Sequence, residues 1–153
     1  MAEELSLESL REEILGMPRD TAALRSQVRE MRTRMLEAHP NRSNLFDLKH
    51  DRGGIVDVEF IVQFLVLGFA HAHAGLTGNI GNLALLRVAG RLGLIDARLA
   101  EATHHSYREF RRMQHALRLQ GERYARVEHV RVQSLVNPVV ALWQAVFGDT
   151  PAD

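Results

Sequence analysis

The sequence predicts an all-α protein, a helical bundle of five to six helices around a central apolar helix at about residues 55–73. Three observations carry that prediction. Leu, Ala, Arg and Glu, all good helix formers, are abundant. No segment alternates apolar and polar residues on either side of a hairpin turn signal. The apolar run that opens at Ile55 is longer than a buried strand of about 4 to 8 residues, so its Val, Ile and Phe content does not make it a strand.

The elements follow in chain order. A first helix is expected over residues 5–15, with Leu7, Leu10 and Ile14 as its apolar stripe and Gly16-Met17-Pro18 as its stop. A second begins at Asp20 or Thr21, whose side-chain oxygens cap free amides, and runs to residue 37 through Leu24, Val28, Met31 and Met35. Its other face carries Arg25, Arg29, Arg32 and Arg34, read as a solvated stripe because Glu30 and Glu37 are interleaved. Pro40 and the polar cluster after it make residues 39–44 a loop.

The glycine pair Gly53-Gly54 then opens the central helix, apolar on nearly every side. Residues 75–79 end it, and a short helix follows over 82–92 before Gly93. Asp96 is the N-cap of a long helix reaching residue 119, with Leu99, Tyr107, Phe110, Met113 and Leu117 inward and Gly121 closing it. Residues 122–133 are polar and weakly patterned, hence read as mostly irregular. Asn137-Pro138 is expected to start the last helix, 139–147, anchored by Trp143, because proline suits the first helical position. Residues 149–153 are expected to fray.

No repeat or low-complexity linker divides the chain, so residues 1–153 read as a single helical domain. With 153 residues, 46% hydrophobic and 25% charged, the chain is large enough to bury its own core. Lys+Arg 19 against Asp+Glu 19 leaves no net charge to attract nucleic acid. The absence of cysteine excludes disulfides and thiolate zinc sites. The acidic start Met1-Ala2-Glu3-Glu4 is unlike a signal peptide, and Asp57, Glu59 and Gln63 interrupt the longest apolar stretch, so a cytoplasmic protein without a membrane span is expected.

Function concentrates at Lys49-His50-Asp51-Arg52-Gly53-Gly54. Lys49 is the only lysine in a chain otherwise committed to arginine. An ammonium is a compact point charge suited to one phosphate or carboxylate oxygen, whereas a guanidinium is a broad fork. Two glycines at a helix start let the backbone approach an anion, and the free amides there carry the positive end of the helix dipole. Lys49, Arg52, Gly53 and Gly54 are therefore candidates for holding a nucleotide or phosphate. Lys49 precedes the glycines, so the order is not that of a P-loop. The plainer alternative is a helix cap, with Asp57 in the first turn.

Asp57 and Glu59 are supporting acids that project roughly 200° apart on a helix and cannot share one metal from that turn. Glu59 needs a polar partner inside an apolar helix, for which Lys49, Arg52 or an arginine of the second helix are at hand. His71 with His73, and His104 with His105, lack the i, i+4 spacing of a zinc site. No nucleophile elbow or paired-aspartate motif is present, so no catalytic residue is assigned.

Lys49-x-x-x-Gly53-Gly54-Ile55-Val56-Asp57-Val58-Glu59-Phe60, followed by Gln63-Phe64-Leu65-Val66-Leu67, resembles the segment after the nucleotidyltransferase domain in glutamine synthetase adenylyltransferase, the bifunctional adenylylating and adenylyl-removing enzyme family. Ile14-Leu15-x-x-Pro18-Arg19 and Val28-Arg29-Glu30-Met31-Arg32-x-x-Met35 are similar to it upstream. The loop alone also occurs in the uridylyltransferase relatives, so the flanks discriminate. Asp57 resembles the second, adenylylating half, where the first half usually has Glu.

The resemblance implies the C-terminal helical domain of that half. The full enzyme would use ATP and Mg2+ to transfer AMP to glutamine synthetase under control of glutamine and the PII signal protein. Its metal-binding acids would lie in the preceding domain, leaving this chain inactive alone. Within that reading, the loop either completes the site of the upstream nucleotidyltransferase domain, or is only structural in a regulatory module that binds glutamine synthetase or PII. A freestanding helical adaptor is the third reading.

Overall fold

The computed structural model describes residues 20–69 and 81–148. The expected helix at 5–15 with its stop, the flank Ile14-Leu15-x-x-Pro18-Arg19, the end of the central helix at 70–73, His71 and His73, the turn at 75–79 and the tail at 149–153 lie outside the described residues. The described residues form α1 (Thr21–Ala38), β1 (Phe46–Asp47), α2 (Ile55–Phe69), α3 (Asn82–Arg91), α4 (Ala97–Leu119), β2 (Arg126–Val127) and α5 (His129–Phe147). The architecture is the all-α bundle expected, and α2 is its centre, packing against all four other helices.

The apolar circumference of α2 explains that position. Ile55, Val58, Ile61, Val62, Phe64 and Leu65 are all buried, and they point to more than one side of the helix. Phe64 meets Phe147 of α5 with ring centroids 5.1 Å apart, and Trp143 packs on Phe147 at 4.2 Å, so Trp143 anchors the last helix as expected. Each such ring contributes about 1.5 to 3 kcal/mol by leaving water. The caps also fall where the side chains predict. Asp20 accepts from the amides of Ala22 and Ala23, and Asp96 from those of Arg98 and Leu99.

Three expectations change. Residues 122–133 are not mostly irregular: Arg126–Val127 pairs antiparallel with Phe46–Asp47, in the register Phe46 to Val127 and Asp47 to Arg126. The Ala125 carbonyl extends the ladder by accepting from the Leu48 amide at 2.8 Å. Two-residue strands carry no periodicity, so nothing in the sequence announces them.

Second, the last helix starts at His129, ten residues earlier than expected, and Pro138 sits inside it. Val132, Leu135, Val136, Val139, Leu142, Trp143, Val146 and Phe147 form one apolar stripe at spacings of three and four that runs through the proline. Burial of that stripe outweighs the lost hydrogen bond from residue 138 to the Ser134 carbonyl. Beside the gap, the Ser106 hydroxyl of α4 donates to the Leu135 carbonyl at 2.6 Å.

Third, of the four arginines read as a solvated stripe on α1, only Arg34 is exposed. Arg32 is 1% exposed while Met31, expected inside, is 54% exposed. Arg25 donates to the Val146 carbonyl at 2.9 Å and Arg29 to the Phe147 carbonyl at 3.1 Å. Carbonyls at a helix C-terminus have no intrahelical donors and carry negative partial charge, so these arginines face inward to cap α5.

Pro138→Ala restores an amide donor in the interior of α5. We expect it to raise stability by about 1 to 3 kcal/mol, read as a higher urea midpoint. A lower midpoint would mean that the proline ring itself is packed into the bundle.

Candidate functional site

The loop that joins β1 to α2 is built by two aspartates. Asp47 Oδ1 accepts from the amides of Lys49 and His50 at 3.0 and 2.9 Å, closing an Asx turn. Asp51 Oδ2 accepts from the Asp47 amide at 2.9 Å and from Asn41 Nδ2 at 2.9 Å, which ties the loop to the segment after α1. Arg126 Nε on β2 donates to Asp47 Oδ2 at 3.2 Å. Side-chain acceptors therefore join backbone turn bonds in fixing the chain path from 47 to 54.

Beneath the loop, Arg32 of α1 and Asp57 of α2 form an ion pair, Nε to Oδ1 at 2.5 Å, with 1% and 2% of their side chains exposed. The second oxygen of Asp57 accepts from the Gly53 amide at 2.7 Å. Arg32 Nη2 donates to the His50 carbonyl at 2.7 Å. One buried charge pair thus holds α1, the loop and the start of α2. Burying two charges is costly unless their hydrogen-bonding capacity is met, and here loop backbone groups meet much of it.

The glycines are required by space. Gly53 has φ +87, and a Cβ there would stand 2.6 Å from Val136 Cγ1 of α5. A Cβ on Gly54 would stand 2.5 Å from the Leu48 carbonyl oxygen. The amides of this helix start are also occupied: Gly53 by Asp57, Gly54 by the Asp51 carbonyl, Ile55 by the Leu48 carbonyl and Val56 by the Lys49 carbonyl. With both glycines buried, the open amide nest that the sequence suggested for an anion is filled by the chain itself.

Of the site residues picked from the sequence, Asp57, Gly53 and Gly54 converge in this buried network, while Lys49 and Arg52 are exposed on the loop above it. Glu59 is half-buried on α2, and its partner is the Tyr107 hydroxyl of α4, which donates to Oε2 at 3.3 Å. Of the partners anticipated for Glu59, an arginine of α1, Arg32, goes to Asp57 instead. Arg32, Asp47 and Asp51 were missed as site residues. Arg32 had a legible signal, since it continues the buried i, i+4 line Leu24, Val28, Arg32 of α1.

His50 stacks on His39, the C-cap of α1, with centroids 4.2 Å apart and an interplanar angle of 11°. Burial pushes the His50 imidazole below its ordinary 6.5; Asp47 opposes this, and His39, Lys49 and Arg32 add to it. Among the described residues, no group of three or more histidine, aspartate or glutamate side chains comes together as a metal-holding cluster. No described helix is long and apolar enough to cross a membrane.

The described residues thus form an all-α bundle whose central helix is locked to a Lys-x-x-x-Gly-Gly-x-x-Asp loop. The family model of GlnD PII-uridylyltransferase matches residues 22–132, and the chain belongs to that family. It is 49% identical to the bifunctional glutamine synthetase adenylyltransferase/adenylyl-removing enzyme of Nitrosomonas europaea over 92% of this chain and 17% of that protein. The proteins of the same name from Aromatoleum aromaticum and Ralstonia nicotianae are 54% and 52% identical over 94% and 95% of the chain, and 15% of their own lengths. The chain therefore spans about a sixth of the curated relatives it matches.

Arg32→Met leaves the Asp57 carboxylate buried without its cation and is expected to cost about 3 to 5 kcal/mol in urea unfolding. Adding Asp57→Leu should recover part of the loss, but not all, because the Gly53 amide then lacks an acceptor. A double mutant no more stable than the single would show that the charge is not the penalty.

The lowered His50 also fixes a sign. Its contribution to stability is fully present above pH 6.5 and is lost as pH falls through the lower folded value, because the unfolded chain takes the proton first. His50→Gln should flatten the fall in melting temperature between about pH 7 and pH 5. His104, lowered first by burial and then by Arg87, should leave a residual slope.

Proposed function

We propose that this chain is the helical domain of an enzyme that adenylylates and deadenylylates glutamine synthetase. In this reading a nucleotidyltransferase domain precedes it in the full-length protein, and loop residues 47–54 complete or support the adenylyl-transfer site of that domain. The observation that carries the reading is identity near 50% across almost the whole chain to enzymes bearing that name. The geometry is consistent with it. The buried Arg32–Asp57 pair and the Gly53 amide bond to Asp57 fix the path of the loop, and Lys49 is exposed on it.

ATP and Mg2+ would be bound mainly by the preceding domain, with Lys49 and Arg52 reaching a phosphate or a carboxylate that positions it. Glutamine synthetase is the protein substrate in this reading and the PII signal protein the regulator. The chain by itself would transfer no AMP.

A second reading draws support from one specific finding. Because the amides of Gly53, Gly54, Ile55 and Val56 are all used internally, the loop also suits a purely structural role. The helical surface would then serve as a regulatory interaction module for glutamine synthetase or PII.

Lys49 separates the two. If its ammonium makes a charge-assisted hydrogen bond in the transfer site, Lys49→Ala in the full-length enzyme should cost about 1.5 to 3 kcal/mol, roughly ten- to a hundredfold in AMP transfer. Lys49→Arg should restore only part of this, given the different shape of a guanidinium. Full AMP transfer by a stably folded Lys49→Ala enzyme would refute the transfer-site role and leave the regulatory reading.

A further inference from the structure

The helix-start amides are occupied, yet Lys49 does not stand alone. It lines a pocket of about 260 Å³ between the loop, the last turns of α4 and the segment just before β2. Arg118 and Arg123 line the same pocket. All three cations are exposed, and none forms a salt bridge among the described residues.

Two carboxylates also line the pocket, Asp47 and Glu122. Asp47 is committed, accepting from two loop amides and from Arg126. That leaves Glu122 against three cations. The wall also holds the Gln114 side chain, 7% exposed, whose oxygen accepts from Arg111 at 3.3 Å and whose nitrogen has no partner among the described residues. A pocket with uncompensated cations and a spare amide donor is complementary to an anion with several oxygens.

We infer that this pocket binds a polyphosphate, the chemistry shared by free pyrophosphate and the tail of a nucleoside triphosphate. The Arg forks and the Lys point charge are the donors such oxygens use. The volume lies below the usual range of roughly 300 to 1,000 Å³ for pockets that enclose a whole ligand, so the phosphates sit inside and any nucleoside outside. The choice of polyphosphate over other compact polyanions rests on the adenylyl-transfer reading. The anion site itself rests on the pocket alone.

Calorimetric titration of this chain with pyrophosphate, ATP and AMP at low ionic strength, without metal, tests the inference. Pyrophosphate and ATP should bind saturably and AMP at least about tenfold more weakly, since it offers one phosphate. Tighter binding of pyrophosphate than of ATP assigns the pocket to the free anion, the reverse assigns it to the nucleotide, and equal binding assigns it to the shared tail.

Lys49→Gln and Arg118→Gln should each weaken binding by about tenfold or more with the melting temperature unchanged. Arg98→Gln removes the same charge about 30 Å away along α4 and should have no effect. A folded chain that shows no saturable binding, or an Arg98→Gln loss as large as that of Arg118→Gln, overturns the pocket. Neither result touches AMP transfer by the full-length enzyme. Conversely, a full-length enzyme inactive on glutamine synthetase whose helical chain still binds pyrophosphate would sink the functional reading and keep the pocket.

Discussion

A guanidinium and a carboxylate, both withdrawn from water, sit between α1 and α2 and decide where the neighbouring chain runs. Isolated, either would be unfavourable by several kcal/mol in such surroundings. Together they are tolerated because the loop closes over them: the Gly53 amide takes the free oxygen of Asp57, and the His50 carbonyl takes an Nη of Arg32. The loop needs the ion pair to fix its path, and the ion pair needs the loop for its remaining hydrogen bonds.

That mutual dependence accounts for the glycines. To bring its amide to Asp57 the chain must pass under α5, close enough that a Cβ at residue 53 would collide with Val136. A positive φ at Gly53 then turns the chain into α2, and the absence of a side chain at Gly54 admits the Leu48 carbonyl. Lys49 is consequently exposed on a hydrogen-bonded turn and lines a pocket together with Arg118 and Arg123. A cation on such a frame loses less freedom on meeting an anion than one on a mobile loop.

Much of this was readable in advance, and the failures share a cause. Asp20 and Asp96 announce helix starts through their own side-chain chemistry, and the length and composition of the run after Ile55 announce a buried helix. The segment around Lys49 stood out in the sequence, but the division of labour inside it was not legible. Asp57 and Glu59 are chemically similar and two residues apart, and only the placement of Arg32 and Tyr107 decides that one is buried as an ion and the other reaches a hydroxyl. Likewise, Pro138 reads locally as a helix start, whereas the stripe running from Val132 to Phe147 needs an unbroken helix.

The sequence by itself determined the all-α class, the central helix, most helix boundaries and the location of the loop, because these follow from side-chain pattern, capping chemistry and backbone preference, which act over a few residues. The tertiary structure decided which arginines are buried, which carboxylate they meet, that the helix-start amides are filled, and that Lys49 shares a pocket with residues some seventy positions away. Those outcomes depend on charges and carbonyls from separate elements satisfying one another out of water. Such pairing is set by the packing of the bundle and leaves no local trace in the order of residues.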